Sequence, residues 1–229
     1  AAGIMHALLY YGFLVLLAVT TTLEIDHQLP ESLKFLHGGT YQGFSFVGDL
    51  AGLAFTVGMA WSIVRRYIQK PYRIKIKTRP EHALILAVLL GLGVTGFAAE
   101  AFRIAAEGRP TYEQWSFIGY PLSALVDQVG AVAGWHQAMW IAHVICFMAF
   151  LVMLPVTMLR HMFTSPLNMY LKDRERPKGA MRALPDLMEA DDIETIGASV
   201  VEDFTWKQLL DTDSCTMCGR CTAVRAGRA

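Results

Sequence analysis

Charge is what this sequence has least of. Asp, Glu, Lys and Arg make up 17% of its 229 residues, against about a quarter in an ordinary soluble domain. The 20 basic and 20 acidic side chains cancel, so net charge points neither to nucleic acid nor to an acidic partner. Cysteine is scarce too. Four residues, three of them in one short run, cannot build the disulfide framework of a small secreted domain. They suggest a reducing compartment, where thiolates stay available to metal. Internal repeats and low-complexity tracts are also absent.

What is present is apolar: 54% of the residues are hydrophobic and the mean hydropathy is +0.36. Crossing a bilayer takes about 20 apolar residues, and four segments are long enough: 4–23, 44–64, 83–102 and 132–159. The first is not a signal peptide, because it lacks a charged leading region, runs too long, and ends in Glu24-Ile-Asp-His-Gln, a poor cleavage site. Beginning without Met, directly at a helix, the chain reads as a fragment or a processed product. After about Thr164 the composition turns charged and proline-punctuated. Three parts are expected: a transmembrane domain over 1–163, a cytoplasmic linker with short helices over 164–213, and a truncated cluster motif over 214–229.

Orientation follows from the basic residues. Arg65, Arg66, Lys70, Arg73, Lys75, Lys77 and Arg79 lie between the second and third segments. The opposite loops carry Glu24, Asp26, Glu31, Glu107, Glu113 and Asp127. By the positive-inside rule the basic loop is cytoplasmic, and an even number of spans puts both termini there as well.

The run Cys215-Thr-Met-Cys218-Gly-Arg-Cys221 has the spacing of the bacterial ferredoxin motif, whose fourth cysteine precedes a proline. Structural zinc sites also use closely spaced cysteines. Two successive two-residue gaps with no nearby histidine favour a [4Fe–4S] cluster. Arg225 stands where the fourth cysteine belongs, so this chain ligates such a cluster incompletely and the remaining ligand is expected from elsewhere.

Histidines within apolar helices call for a reason, since polar groups at membrane depth are costly. His143 and His161 are 18 residues apart, about five whole turns if one helix carries both. His136 lies seven before His143, on nearly the same face. His6 sits at one end of the first segment and His27 just past the other. Bis-imidazole haem b needs neutral imidazoles from facing helices at equal depth. His6 and His161 meet that condition on the cytoplasmic side; His143 has the depth for a second haem, with His27 as its nearest partner. The alternative for each is a helix cap or a local hydrogen bond. His37 and His82 read as ordinary loop and interface residues, and Pro155 as a kink in the fourth helix.

Other features are less specific. Trp61, Trp115, Trp135 and Trp140 fit aromatic belts, and Cys146 fits a small buried hydrophobe. Asp49, Glu100 and Arg103 lie near the non-cytoplasmic ends of the second and third segments, as a structural ion pair or as help for quinone protonation. Residues 185–210 read as an acidic stretch (189–194) and an apolar-patterned one, two short helices leading into the cysteines.

Five stretches together carry a family resemblance: Gly3-Ile-Met-His6-Ala-Leu-Leu, Gly48-Asp-Leu-Ala-Gly52, Trp135-His-Gln-Ala-Met-Trp-Ile-Ala-His143, Arg160-His-Met-Phe-Thr-Ser-Pro-Leu-Asn168 and Glu202-Asp-Phe-Thr-Trp-Lys-Gln-Leu-Leu-Asp211. They resemble the membrane-bound iron–sulfur oxidoreductases related to heterodisulfide reductase, which include electron-transfer-flavoprotein:quinone reductases. The membrane part of that family is similar to the haem b subunit of respiratory nitrate reductase. The resemblance implies an all-α membrane protein, a four-transmembrane-helix haem b bundle with a short cytoplasmic iron–sulfur tail, in a bacterial or archaeal cell membrane. It implies electrons passing from a cytoplasmic iron–sulfur or electron-transfer-flavoprotein partner through clusters to haem b and the quinone pool. His6 and His161 would ligate the nearer haem, and His143 would belong to the distal one. The nitrate-reductase pattern has a second histidine ten residues after the first, where Leu16 stands here. One or two haems therefore remain open, the distal one absent, five-coordinate or held by a residue such as His27. The other class of function is a haem-binding membrane anchor that docks a separate catalytic iron–sulfur subunit.

Overall fold

The computed structural model describes residues 2–75, 78–172, 174–175 and 200–216. Among these, 84% are helical and none is in a strand. The chain divides into two compact units, Ala1–Met153 and Leu154–Ala229.

Four long helices dominate: α1 (Ala2–Gln28), α2 (Gly38–Ile63, prolonged by a π-helical turn over Val64–Gln69), α4 (Pro80–Ala106) and α6 (Val132–Val156). A four-residue helix α3 (Tyr72–Lys75) and a short helix α5 (Gly119–Val126) lie in the connections. The 25 residues of α6, the shortest of the four, reach about 37 Å, more than the ~30 Å of a hydrocarbon core. The chain is a multi-pass membrane protein. The first three helices outrun the apolar segments that mark them, because the intrahelical hydrogen-bond ladder continues through polar interfacial turns after the hydrocarbon ends. Up-and-down connection gives the bundle an acidic end, with the 29–37 and 107–131 loops, and a basic end, with Arg65, Arg66, Lys70 and Arg79.

Close approach needs small residues where lipid supplies no hydrophobic drive between helices. At Gly12, α1 meets α2 so closely that a Cβ would lie 2.9 Å from the Phe55 backbone nitrogen and 3.0 Å from the Ala51 oxygen. Phe13 then reaches the ring of Phe150 on α6, 5.5 Å between centroids, and that of Phe55 on α2, 6.5 Å. α4 is the shared wall. Gly52 and Thr56 of α2 pack on its Phe97 and Gly93, and Cys146 and His143 of α6 pack on its Gly91 and Gly96. Large apolar side chains such as Leu17, Ile145 and Val152 face outward, as expected where lipid is the solvent.

The ends are tied by hydrogen bonds. Buried Asp26 accepts from the backbone N–H groups of Phe35 (2.7 Å) and Leu36 (3.0 Å), folding the first acidic-end loop back. His82 accepts from Arg79 N (3.0 Å) through Nδ1 and caps the start of α4.

α6 ends sooner than its apolar run. Pro155 lies in its last turn, Thr157 is extended (φ −114°, ψ −178°), and the Thr157 hydroxyl accepts from Leu159 N. The expected kink is thus a break, since proline withholds an N–H and crowds the preceding turn. His161 opens a separate helix, α7 (His161–Tyr170).

The second unit pairs α7 with α8 (Trp206–Asp213). Thr205 and Gln208 cap α8 reciprocally: Gln208 N donates to Thr205 Oγ1 (3.3 Å) and Thr205 N to Gln208 Oε1 (2.8 Å). Lys207 bridges Asn168 and Asp211, and Ser214 Oγ donates to Thr164 O (2.9 Å). Of the two short helices expected over 185–210, the acidic stretch lies outside the described residues, and the second appears as a 3-10 turn (Val201–Asp203) followed by α8.

The hydrogen bond from Lys207, with one from Asn168, holds the Asp211 carboxyl below the usual carboxylate range. A depressed folded pKa stabilises fully above the unfolded value and is lost as pH falls through the folded one. Amide exchange in α8 is therefore expected to accelerate below about pH 4, and Asp211→Asn is expected to abolish that acid step. In the membrane unit, Gly12→Ala is expected to destabilise by about 1–3 kcal/mol through overpacking. Gly3→Ala, with nothing within 4 Å of the added carbon, is expected to leave unfolding in detergent unchanged or slightly improved.

Candidate functional site

Two groups of polar side chains interrupt the apolar bundle. The first is histidine. His136, His143 and Phe150 recur at sevens along α6, as His6, Phe13, Thr20 and His27 do along α1, so each set lies on one helical stripe. The helices run antiparallel, and Phe13 meets Phe150. Counting from that contact puts Thr20 level with His143 and His27 level with His136. His27 is thus about 10 Å further toward the acidic end than His143, and Leu16 and Thr20 flank the His143 level on α1.

Both α6 histidines lean on α4. His143 Nδ1 lies 3.1 Å from Thr95 Oγ1, and the Thr95 hydroxyl donates its own proton to Gly91 O (2.6 Å). His143 also hydrogen-bonds the Leu92 backbone. His136 Nδ1 lies 3.0 Å from Ala99 O, and His161 Nδ1 lies 2.6 Å from Met158 O. Each ring is thereby oriented by the polar atoms around it, as outer hydrogen bonds orient the rings of metal-ligating histidines. His82 serves as a cap: its Nδ1 lies 3.0 Å from Arg79 N and 3.3 Å from Arg79 O.

His143 and His161 offer imidazole, the side chain that ligates haem b. His6 lies in the first turns of α1, exposed, and His27 is exposed in its last turn. His161 belongs to the second unit. Because α6 breaks before it, the five-turn spacing from His143 does not run along one helix. Of the expected cluster ligands, Cys215 is exposed just after α8, and Cys218 and Cys221 lie outside the described residues. Among the described residues, no three His, Cys, Asp or Glu side chains converge as a metal site.

The second polar group fills the acidic end. Glu113 is wholly buried, accepting from Tyr41 OH (2.8 Å) and Arg103 Nη1 (2.7 Å). Arg103 also reaches Glu107, 3.2 Å to each oxygen. Ser116, buried beside Glu113, shares a hydrogen bond with Ser45 of α2. Asp49 is 2% exposed, and its Oδ2 accepts from Ile118 N (2.6 Å) and Gly119 N (3.2 Å), the start of α5. The Asp49/Glu100/Arg103 ion pair drawn from the sequence is thus corrected. Arg103 pairs with Glu113 and Glu107, and Glu100 turns to Asp49 and Ser116. Tyr41, Arg103, Glu107, Tyr112, Glu113 and His37 line a cleft of about 480 Å³ above this network. Ser45, Ser116 and Tyr41 were illegible in the sequence, because single hydroxyls in apolar segments or loops carry no periodic signal.

Residues 4–177, which hold every histidine and carboxylate of this arrangement, match the family described as the nitrate reductase gamma subunit. The chain belongs to that family. It is 36% identical over 233 residues to an EtfAB:quinone oxidoreductase of Syntrophomonas wolfei, and 30% identical over 227 residues to a probable iron–sulfur-binding oxidoreductase, FadF, of Bacillus subtilis. Each alignment covers 96% of this chain and 31% of the relative, so the chain spans about a third of the length of these curated relatives. No solved structure matches it.

Thr95→Val keeps the shape of the threonine and removes the hydroxyl beside His143 Nδ1. It is expected to destabilise the bundle by about 0.5–1.5 kcal/mol, the net worth of one hydrogen bond. Nitrogen NMR of labelled histidine is expected to show the ring resonances of His143 shifting, while those of His136 and His82 stay in place.

Proposed function

We propose that this chain is the membrane part of a quinone-linked electron-transfer oxidoreductase, binding haem b through His6 and His161, with His143 as a ligand at a second level. The observation that carries the reading is that His143 Nδ1 meets Thr95 Oγ1 and His161 Nδ1 meets Met158 O, contacts that orient both rings. Outer hydrogen bonds of this kind orient ligating imidazoles, and an imidazole in an apolar span is costly unless it has a task. Haem b, when bound, supplies one-electron redox chemistry that joins a two-electron quinol to single-electron carriers.

The chain's own residues set the surroundings. Phe13, Phe55 and Phe150 form an aromatic plug between the His143 level and the basic end. Thr95 and Met158 fix ring orientation. Leu16 and Thr20, at the α1 level of His143, offer no imidazole, which favours a single protein ligand there. Cys215, Cys218 and Cys221 supply three thiolates toward a [4Fe–4S] cluster. The basic end supports placing both termini, and with them the cysteines, in the cytoplasm of a bacterial or archaeal cell. The electron partner there is an iron–sulfur protein or an electron-transfer flavoprotein. The names of the two relatives point the same way.

Full-length protein purified from membranes is expected to show a b-type spectrum that quinol reduces. His161→Ala is expected to lower haem content by about half or more, since removing even the outer partner of a metal ligand costs about 10–100-fold in affinity. His82→Gln, a change to a capping histidine, is expected to leave the spectrum intact. Full haem content in His161→Ala, or a wild-type protein without haem, would contradict the proposal. Haem that quinol cannot reduce would favour the non-catalytic anchor instead.

A further inference from the structure

The acidic-end network contains one feature that neither ion pairing nor haem binding uses. Two carboxyl groups, Asp49 and Glu100, meet between α2, α4 and α5, and among the described residues neither forms an ion pair. Both lie on Gly119: Asp49 Oδ2 accepts its N–H, and a Cβ there would fall 2.5 Å from Glu100 Cδ. Glu100 is hydrogen-bonded to Asp49 and to Ser116. Two carboxyl groups can hydrogen-bond only if one of them carries a proton. Asp49 Oδ2 is already taken by two backbone N–H donors, so the pair shares one proton between its remaining oxygens. A purely structural link at this depth would be made more cheaply by an amide or by an ion pair.

From Glu100 the hydrogen bonds continue without interruption. Ser116 Oγ bonds Ser45 Oγ and lies 3.5 Å from Glu113 Oε2. Glu113 Oε1 accepts from Tyr41 OH and Arg103. Tyr41, Glu113, Arg103 and Glu107 then border the 480 Å³ cleft, with His37 and Tyr112 on its rim. Glu107 is the half-exposed member that faces solvent. Hydroxyls that donate on one side and accept on the other can pass a proton by rotation, and Arg103 holds Glu113 and Glu107 in place at the outer end.

We infer that Glu100, Ser116, Ser45, Glu113 and Tyr41, with Asp49 as the anchor of the inner end, form a proton-conducting chain between the bundle interior and the cleft at the acidic end. One proton enters at Glu100 and one leaves to water in the cleft; no electron moves along it. Resting on the quinone-linked reading, its role is to carry away the protons of quinol oxidation, or to bring those of quinone reduction.

The test uses the full-length protein with its native cofactors in lipid nanodiscs and in vesicles. Infrared spectra are expected to show the carbonyl stretch of a protonated carboxylic acid, absent in Glu100→Gln. Its deuterium shift is expected to slow by at least about tenfold in Ser116→Ala and in Tyr41→Phe, which loses only the hydroxyl, as removal of a proton-transfer group does. A band that persists in Glu100→Gln, or wild-type exchange in both hydroxyl variants, would overturn the chain. In vesicles, quinol oxidation is expected to change the pH on the acidic-end side, more slowly in Tyr41→Phe. The expected infrared results without any quinol-driven pH change in wild type would support the conduit and overturn its quinone role.

Discussion

Inside four helices of nearly uniform apolarity, a polar side chain has no water to turn to, and only another polar group can answer it. That constraint decides where the few charged and titratable residues of this chain can stand. α4 satisfies most of them. Its Thr95 and Ala99 hydrogen-bond the rings of His143 and His136 on one side. Its Glu100 and Arg103 meet the carboxyls, serines and Tyr41 gathered by α2 and the α5 region on the other. Remove α4's polar atoms and both groups would lose hydrogen-bond partners, at about 0.5–1.5 kcal/mol for each bond.

The two faces of α4 thereby separate two kinds of chemistry. The α6 side presents imidazoles oriented by Thr95 and Ala99, and the α2 side presents carboxyls and hydroxyls in hydrogen-bond contact. The proposed quinone-linked role would use both, because quinol oxidation yields protons and electrons that must leave by different routes. The packing supports the division. Glycine at positions 91, 93 and 96 lets α2 and α6 approach the same helix from opposite sides, and the Phe13–Phe150 contact closes the seam between α1 and α6.

Much of this was legible in the sequence. Long apolar runs fixed the four spans and the all-α class, because length and hydropathy together leave no other structure in a bilayer. The family resemblance was legible in runs such as Trp135–His143 and agrees with the family match over residues 4–177. Three features were not legible. The break after Val156 replaced a kink, because whether a proline bends or ends a helix depends on what captures the chain beyond it, here the Thr157 hydroxyl. Arg103 found Glu113 rather than Asp49 or Glu100, since the loop carrying Glu113 folds back over the bundle by contacts far apart in sequence. The depth match of His27 with His136 required the Phe13–Phe150 register, which helical periodicity within one segment cannot supply.

The account stands or falls on whether these imidazoles hold haem. The most direct test is the haem and non-haem iron stoichiometry of the intact protein purified from its membrane. At least one protohaem per chain, with non-haem iron alongside it, is the result the structure leads us to expect. A preparation that is folded, membrane-embedded and free of haem would contradict it.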